Sequence, residues 1–169
     1  MTANANLSTL SGGFTIRLSV IGNVVNPDSR SITYSRSDNG NTETLALDAG
    51  ATDDDVQTAL QALADSLVRQ NAVAAEVVGS TFTGSAIGVS GTHSVTLQVL
   101  SATSHADSLT IRYRRNDNGN IDNLAANTDA TSDDLRAQMQ GMADTLAQQV
   151  QAAADDAQGI IGLTVTATA

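Results

Sequence analysis

Short stretches of the chain alternate between apolar and polar residues, which predicts β-strands. Between Phe14 and Gly22 every second side chain is apolar, so one face of that segment would be buried and the other exposed. The same period predicts strands over 31–37 and 42–48. Asn39-Gly40 lies between these two and suits the positive φ angles of a tight hairpin turn.

An amphipathic helix is predicted directly after the third strand. Thr52 suits the N-cap, because its hydroxyl can accept a hydrogen bond from a free backbone amide. Asp53-Asp54-Asp55 would place negative charge at the positive end of the helix dipole. Four apolar side chains recur at helical spacing and predict one buried face: Val56, Leu60, Leu63 and Leu67. The helix is expected to end near Gln70-Asn71, and residues 72–78 and 81–89 are expected to form one or two strands.

This pattern occurs twice along the chain. Tyr34-Ser-Arg-Ser-Asp-Asn-Gly-Asn41 returns as Tyr113-Arg-Arg-Asn-Asp-Asn-Gly-Asn120, without a gap. Equivalent residues of the two copies are separated by the same number of positions as Tyr34 and Tyr113, and we call this separation in sequence the repeat offset. We infer a tandem duplication of a β-β-β-α-β module, giving an α+β fold with mainly antiparallel sheets that each carry one packed helix. The expected organisation is an N-terminal arm over 1–13, a first module over 14–91 and a second module over 92–169.

Two features are expected to distinguish the copies. The second helix is predicted to be extended by two turns over 150–157, before a closing strand over 160–169. The arm precedes only the first copy, and it is small, polar and rich in glycine at its end. It is either a disordered tail or a segment that adds to the sheet edge of a neighbouring subunit.

Composition narrows the class of protein. The net charge is −10, which disfavours a groove for duplex DNA or a hold on an anionic membrane. All eight basic residues are arginine, which reflects either codon usage or adaptation to salt. The absence of cysteine excludes disulfides and thiolate chemistry. With no secretory signal and no apolar run of membrane length, we expect synthesis in a host cytoplasm.

The polar hairpins are the first candidates for a metal site. Their glycine comes too early for a helix–loop–helix calcium loop, and no bidentate glutamate follows, so a structural turn is favoured. Asp53-Asp54-Asp55 cannot converge on one ion from successive helical positions. The hairpin residues tested are Asp38, Asn39, Asn41 and Glu43, with their copies Asp117, Asn118, Asn120 and Asp122.

Catalytic chemistry has little support in the sequence. His93 and His105 have no histidine counterpart in the other copy, and sequence spacing gives neither of them a catalytic partner. No nucleophile elbow or phosphate-binding loop is found. We therefore expect no catalytic, cofactor-binding or metal-binding residues, no cofactor, and no enzyme.

A cluster of arginines remains around Tyr113. Three interpretations stay open: weak single-strand nucleic-acid binding, ion pairs with Asp or Glu across a subunit contact, or a solvated strand face. The acidic background argues against specific nucleic-acid binding. The residues concerned are Arg112, Arg114 and Arg115, with Arg36 as the copy of Arg115.

Two segments carry a family resemblance. Ala-Gly-Ala-Thr-Asp-Asp-Asp-Val-Gln-Thr-Ala-Leu-Gln-Ala-Leu-Ala-Asp (49–65) and Ala-Val-Ala-Ala-Glu-Val-Val-Gly-Ser-Thr-Phe-Thr-Gly (72–84) follow the predicted hairpin. Together they resemble the small β-α-β units in tail sheath proteins of Mu-like phages. The chain is too short for a whole sheath subunit, so the resemblance implies a virion structural protein of another kind. The resemblance does not imply that this protein contracts as a tail sheath does, and it assigns no functional residue.

The expected function is a non-enzymatic, self-assembling structural protein of a tailed-phage particle, with the virion as its location. A tail or tube component is preferred. The alternatives are a capsid decoration protein, or an adhesin built from tandem binding domains. Expected partners are other copies of the chain and other virion proteins, with no membrane.

Overall fold

A computed structural model describes residues 1–9 and 12–160 of the chain, and it is an α+β structure of two antiparallel four-stranded sheets and two helices. The first sheet has the order β1-β2-β3-β4 and the second β5-β6-β7-β8. The elements of the first sheet and its helix are β1 Thr2–Thr9, β2 Gly12–Val25, β3 Arg30–Arg36, β4 Thr42–Leu47 and α1 Asp53–Val77. Those of the second are β5 Thr81–Gly88, β6 Gly91–Ser104, β7 Leu109–Arg115, β8 Ile121–Ala126 and α2 Ser132–Ile160.

Each strand of the second sheet begins and ends at the repeat offset from its counterpart in the first. The predicted α+β class is confirmed, but the order within each set is four strands and then a helix. The strand at 81–88, expected to complete the first module, instead pairs with β6. The tandem duplication, and the boundaries 14–91 and 92–169, stay predictions about the sequence.

The segment predicted to be a free arm is strand β1, which is a correction. It pairs antiparallel with β2, with Ala3 opposite Leu18. Ala3 is 1% exposed and belongs to the hydrophobic core. The period-two alternation was present in this segment, but alanine and threonine are too small and weakly apolar to reveal which face is buried.

The end predicted for the first helix was also wrong. Helix α1 continues past Asn71 to Val77, so residues 72–77 are helical rather than a strand. Alanine-rich sequence fits either period, and Gly79, at φ 86°, follows the true helix end. Residues 150–157 are helical, as predicted, but they are not two extra turns, because almost all of their counterparts in α1 are helical as well. Helix α2 is 29 residues long against 25 for α1, so it is longer by about one turn, at its end. Of the predicted closing strand, Ile160 ends α2, and 161–169 lie outside the described residues.

Both helices begin with the predicted threonine cap. Thr52 Oγ1 accepts from the Asp55 amide at 3.2 Å, and the Asp55 carboxylate accepts from the Thr52 amide at 2.8 Å. Thr131 and Asp134 repeat this reciprocal pair at 3.2 and 3.0 Å. Each pair satisfies two amides that the first helical turn leaves free, which explains why both helices start at the same place in the repeat.

The chain divides into two compact units. Unit 1 comprises Met1–Glu76, Ala102–Thr110 and Ala125–Ala130, and unit 2 comprises Val77–Ser101, Ile111–Leu124 and the chain from Thr131 onward. The core of unit 1 joins α1 to the first sheet through side chains that are almost all apolar: Ala3, Ile16, Leu18, Ile32, Tyr34, Val56, Leu60, Leu63, Ala64, Leu67 and Val68. In unit 2, α2 packs against β5. Unit 1 therefore contains the first sheet, almost all of α1, and the turn between β6 and β7.

Candidate functional site

The two Asp-Asn-Gly-Asn segments are hairpin loops, as predicted. In the first, the Arg36 amide donates to the Asn41 carbonyl at 2.9 Å, and Asn39 Oδ1 accepts from the Asn41 amide at 2.9 Å. The loop between that pair holds four residues, 37–40, so it is longer than the tight turn we expected. Within this loop Gly40 alone has a positive φ, of 73°, and among the described residues every positive φ belongs to a glycine. The second hairpin has the same bonds around Gly119, at φ 75°.

The acidic side chain of each loop is engaged by an arginine. Arg36 donates to both carboxylate oxygens of Asp38, at 3.1 and 2.7 Å, and Arg115 does the same to Asp117, at 3.0 and 2.6 Å. Such bidentate pairing occupies the oxygens that a cation would need. Within residues 1–9 and 12–160, no group of His, Asp and Glu is arranged to hold a metal ion.

Arg36 is the centre of a polar cluster in unit 1. Its side chain is 1% exposed and also reaches Glu43, at 3.1 Å. It donates to the main-chain oxygen and to the hydroxyl of Ser104, both at 2.9 Å. Ser104 in turn donates to Asn71 Oδ1 at 2.7 Å. The cluster therefore joins a hairpin, a helix and the β6–β7 turn through one guanidinium.

A second helix residue holds the same turn. Gln70 is 1% exposed, and its Nε2 donates to the main-chain oxygen of His105 at 3.1 Å. The amide of His105 donates to the Ser108 carbonyl at 2.8 Å and closes the turn. We call this set the docked turn: Ser104 and His105 held by Arg36, Gln70 and Asn71. His105 contributes to the docked turn through its backbone amide and carbonyl.

The electrostatics of this cluster favour the charged forms of Asp38 and Arg36 and the neutral form of Tyr34. Burial alone would raise the pKa of Asp38, but hydrogen bonds from Arg36 and Asn71 outweigh it and hold the pKa below its ordinary value. Burial alone would lower the pKa of Arg36, whereas Asp38 and Glu43 together raise it. Tyr34 is buried and donates to Glu43 at 2.8 Å, and both effects raise its pKa. The side chains of this cluster satisfy one another's hydrogen-bonding and charge requirements, which is typical of a structural network.

Acid should therefore destabilise the protein partly through Asp38. Its pKa is lower in the folded than in the unfolded chain, so its contribution is present above the unfolded value, about 4, and is lost as the pH falls further. We expect the free energy of unfolding, measured by urea titration, to fall more steeply below about pH 4 in the wild type than in Asp38→Asn. Parallel pH profiles for the two proteins would contradict this role.

The counterpart cluster in unit 2 is smaller. Arg115 has a side chain that is 18% exposed, and the bonds found for it go to Asp117. A shallow surface depression of about 310 Å³ lies beside it, lined by Thr81, Thr96, Gln98, Arg114, Arg115 and Asn116. Tyr113 is buried rather than exposed for stacking, and burial raises its pKa. The arginine cluster thus lacks the exposed aromatic that single-strand binding requires.

His93 has a neighbour that the sequence spacing did not reveal. Its Nε2 lies 3.4 Å from Ser90 Oγ, a long hydrogen bond. That hydroxyl accepts from Gln151 at 2.7 Å, and Asp155 accepts from the Ser90 amide at 2.8 Å. The hydrogen bonds from Ser90 lower the pKa of Asp155. A catalytic triad needs its carboxylate on the histidine, but here it holds the serine backbone, so the cluster anchors the β5–β6 turn to α2.

The acidic run at the start of α1 also has separate partners. Asp53 forms an ion pair with Arg30, which is 8% exposed and reaches Asn23 and the Ala51 carbonyl as well. Asp55 belongs to the cap, and hydrogen bonds from Thr52 lower its pKa. The three carboxylates therefore do not converge, as predicted from helical geometry.

Comparison of the chain with protein-family models, with curated proteins and with solved structures gives no match. Among the residues that the structure describes, neither helix combines the length and apolar character that a membrane crossing requires.

Proposed function

We propose that this chain is a non-enzymatic structural protein of a tailed-phage particle, which assembles with copies of itself and with other virion proteins as a tail or tube component. The observation that carries the proposal is the recurrence of one four-strand and helix arrangement at the constant repeat offset. A chain that presents the same surface twice can occupy two equivalent places in a repeating assembly.

The sheet edges support assembly. Strand order leaves β1 and β4 at the edges of the first sheet, and β5 and β8 at those of the second. Unpaired edge strands offer backbone donors and acceptors to another chain. Large apolar side chains are also exposed on the strands and turns, at Ile21, Val25, Ile87 and Val89. Such groups are typical of surfaces that a partner covers.

The polar clusters support a structural role. Hydrogen bonds connect a turn to a helix in each unit: Gln70 and Asn71 of α1 bond to the β6–β7 turn, and Gln151 and Asp155 of α2 bond to Ser90. The net charge of −10 suits a surface along which DNA slides without being held. It also suits an outer particle surface, which keeps capsid decoration as the second candidate.

Purified protein distinguishes these functions. Light scattering after size-exclusion chromatography, followed by negative-stain electron microscopy, should give rings or tubes for a tail component. A monomer or trimer that binds only to phage capsids would instead indicate a decoration protein, and binding to host cells without assembly would indicate an adhesin. A chain that stays monomeric and binds neither capsids nor cells would contradict the proposal.

A further inference from the structure

The docked turn has a counterpart that is far more exposed. At the repeat offset, Ser104 and His105 correspond to Val25 and Asn26, in the turn between β2 and β3. Both turns close in the same way, since Asn26 donates to the Ser29 carbonyl at 2.8 Å just as His105 donates to that of Ser108. Their burial differs sharply: Ser104 is 5% exposed, whereas Val25 is 64% exposed.

The groups that hold the docked turn also have counterparts. Arg36 corresponds to Arg115, and both are held by the aspartate of their hairpin. Because α1 and α2 start from identical caps and helices are regular, residues at equal distances from the cap are geometrically equivalent. Gln70 thus corresponds to Gln149, which is exposed where Gln70 is 1% exposed.

One residue of the docked turn and the helix residue that it bonds to both differ in polarity from their counterparts. In the docked turn Ser104 donates to Asn71 at 2.7 Å, which is a polar pair. The counterparts, Val25 and Val150, are both apolar. A valine alone would leave a buried polar partner unsatisfied, whereas two valines match each other. Two of the other three bonds go to main-chain oxygens, which any residue can supply, and the residues that make them are retained as arginine and glutamine. The third bond goes from Arg36 Nη2 to the Ser104 hydroxyl, which valine cannot replace, and at the equivalent position Arg115 Nη2 bonds to Asp117.

We propose that the β2–β3 turn of one copy docks on α2 and Arg115 of a second copy, in the way that the β6–β7 turn docks within unit 1. Arg115 then donates to the Val25 carbonyl, Gln149 donates to the Asn26 carbonyl, and Val150 packs on Val25. The contact joins two different surfaces, so it is head-to-tail and propagates into a ring or a filament. The inference rests on the proposed self-assembly and deepens it by naming its interface.

The two sides of this interface can be blocked separately. Val25→Asp places a charge on the turn, and Val150→Asp places one on the helix. Each should weaken assembly of the full chain at least about tenfold in sedimentation velocity, because a buried unpaired charge opposes docking. Val24→Asp is the matched control: Val24 is 56% exposed, but its counterpart Thr103 is exposed beside the docked turn. It should assemble like the wild type.

Mixing the two blocked proteins tests the head-to-tail geometry. Val150→Asp keeps a native turn and Val25→Asp keeps a native helix surface, so together they should form a one-to-one dimer and stop there. Three results would overturn the interface while leaving self-assembly intact. The first is that Val25→Asp or Val150→Asp assembles at the same concentration as the wild type. The others are that Val24→Asp loses assembly to the same extent, or that the mixture forms no dimer. A wild type that is monomeric at all concentrations would contradict both the interface and the self-assembly. Unchanged melting curves confirm that each variant folds.

Discussion

Replacement of Arg36 by alanine should lower the free energy of unfolding by about 3 kcal/mol, because it removes one partner of a buried ion pair. The side chain of Arg36 is 1% exposed, and its carboxylate partners Asp38 and Glu43 are only 17% and 23% exposed. Without the guanidinium, two negative charges would face each other in a sheltered site. The main-chain oxygen of Ser104 would also lose its donor. Urea titration at neutral pH measures the effect.

Arg115→Ala is the matched control for this prediction. The two arginines occupy equivalent positions and make the same bidentate pair with a loop aspartate, but the side chain of Arg115 is 18% exposed and the bonds found for it go to Asp117 alone. A partly exposed pair of this kind contributes about 1 kcal/mol or less. The measurement should use protein concentrations at which the chain is monomeric. Equal losses in the two variants would show that the docked turn adds nothing.

Gly84→Ala should destabilise the protein by about 2–3 kcal/mol, which is the cost of overpacking a close contact. Gly84 lies on β5 opposite Val95, and it is buried beneath α2. A Cβ atom there would fall on the backbone of Ala143 and Asp144, so the helix must move away from the strand. That movement would also stretch the bond from Gln140 Nε2 to the Thr83 carbonyl, now 2.9 Å. Thermal and urea unfolding both report the loss.

Gly141→Ala provides a control of opposite sign. Gly141 lies within α2, and a Cβ there meets no atom within 4 Å. Alanine in a helix interior is more favourable than glycine by up to about 1 kcal/mol, chiefly because the unfolded chain loses freedom. The corresponding position of α1 is already alanine, Ala62. We therefore expect a small gain in stability. A loss in both variants would mean that any added methyl disturbs α2, rather than that Gly84 is a point of close approach.

Local features were predicted well because their causes lie within a few residues. The threonine caps, the strand alternation around Ile16 and Leu18 and the glycine of each hairpin depend on neighbouring side chains and on allowed backbone angles. The errors fell where residues are small. Alanine fits a helix and a strand equally, so the end of α1 and the strand character of β1 were settled by what they pack against.

The structural role of the polar groups was less predictable. Ser104 is 68 residues from Arg36 in sequence and gave no sign that it would complete its hydrogen bonds. The local sequence predicts that the first helix ends near Gln70, but Gln70 lies within α1 and holds a turn 35 residues away. Ser90 next to His93 was missed for a similar reason, because the anchoring residues Gln151 and Asp155 come from α2, far along the chain.

The sequence by itself determined the strands that flank each hairpin, the threonine-capped start of both helices, and the equivalence of positions related by the repeat offset, since these follow from local period and turn chemistry. It could not distinguish Arg36 from Arg115, which have nearly the same neighbours in the chain. Only the tertiary structure decided that a turn covers the first and not the second. Burial depends on which distant segments meet, and that is a property of packing rather than of local sequence.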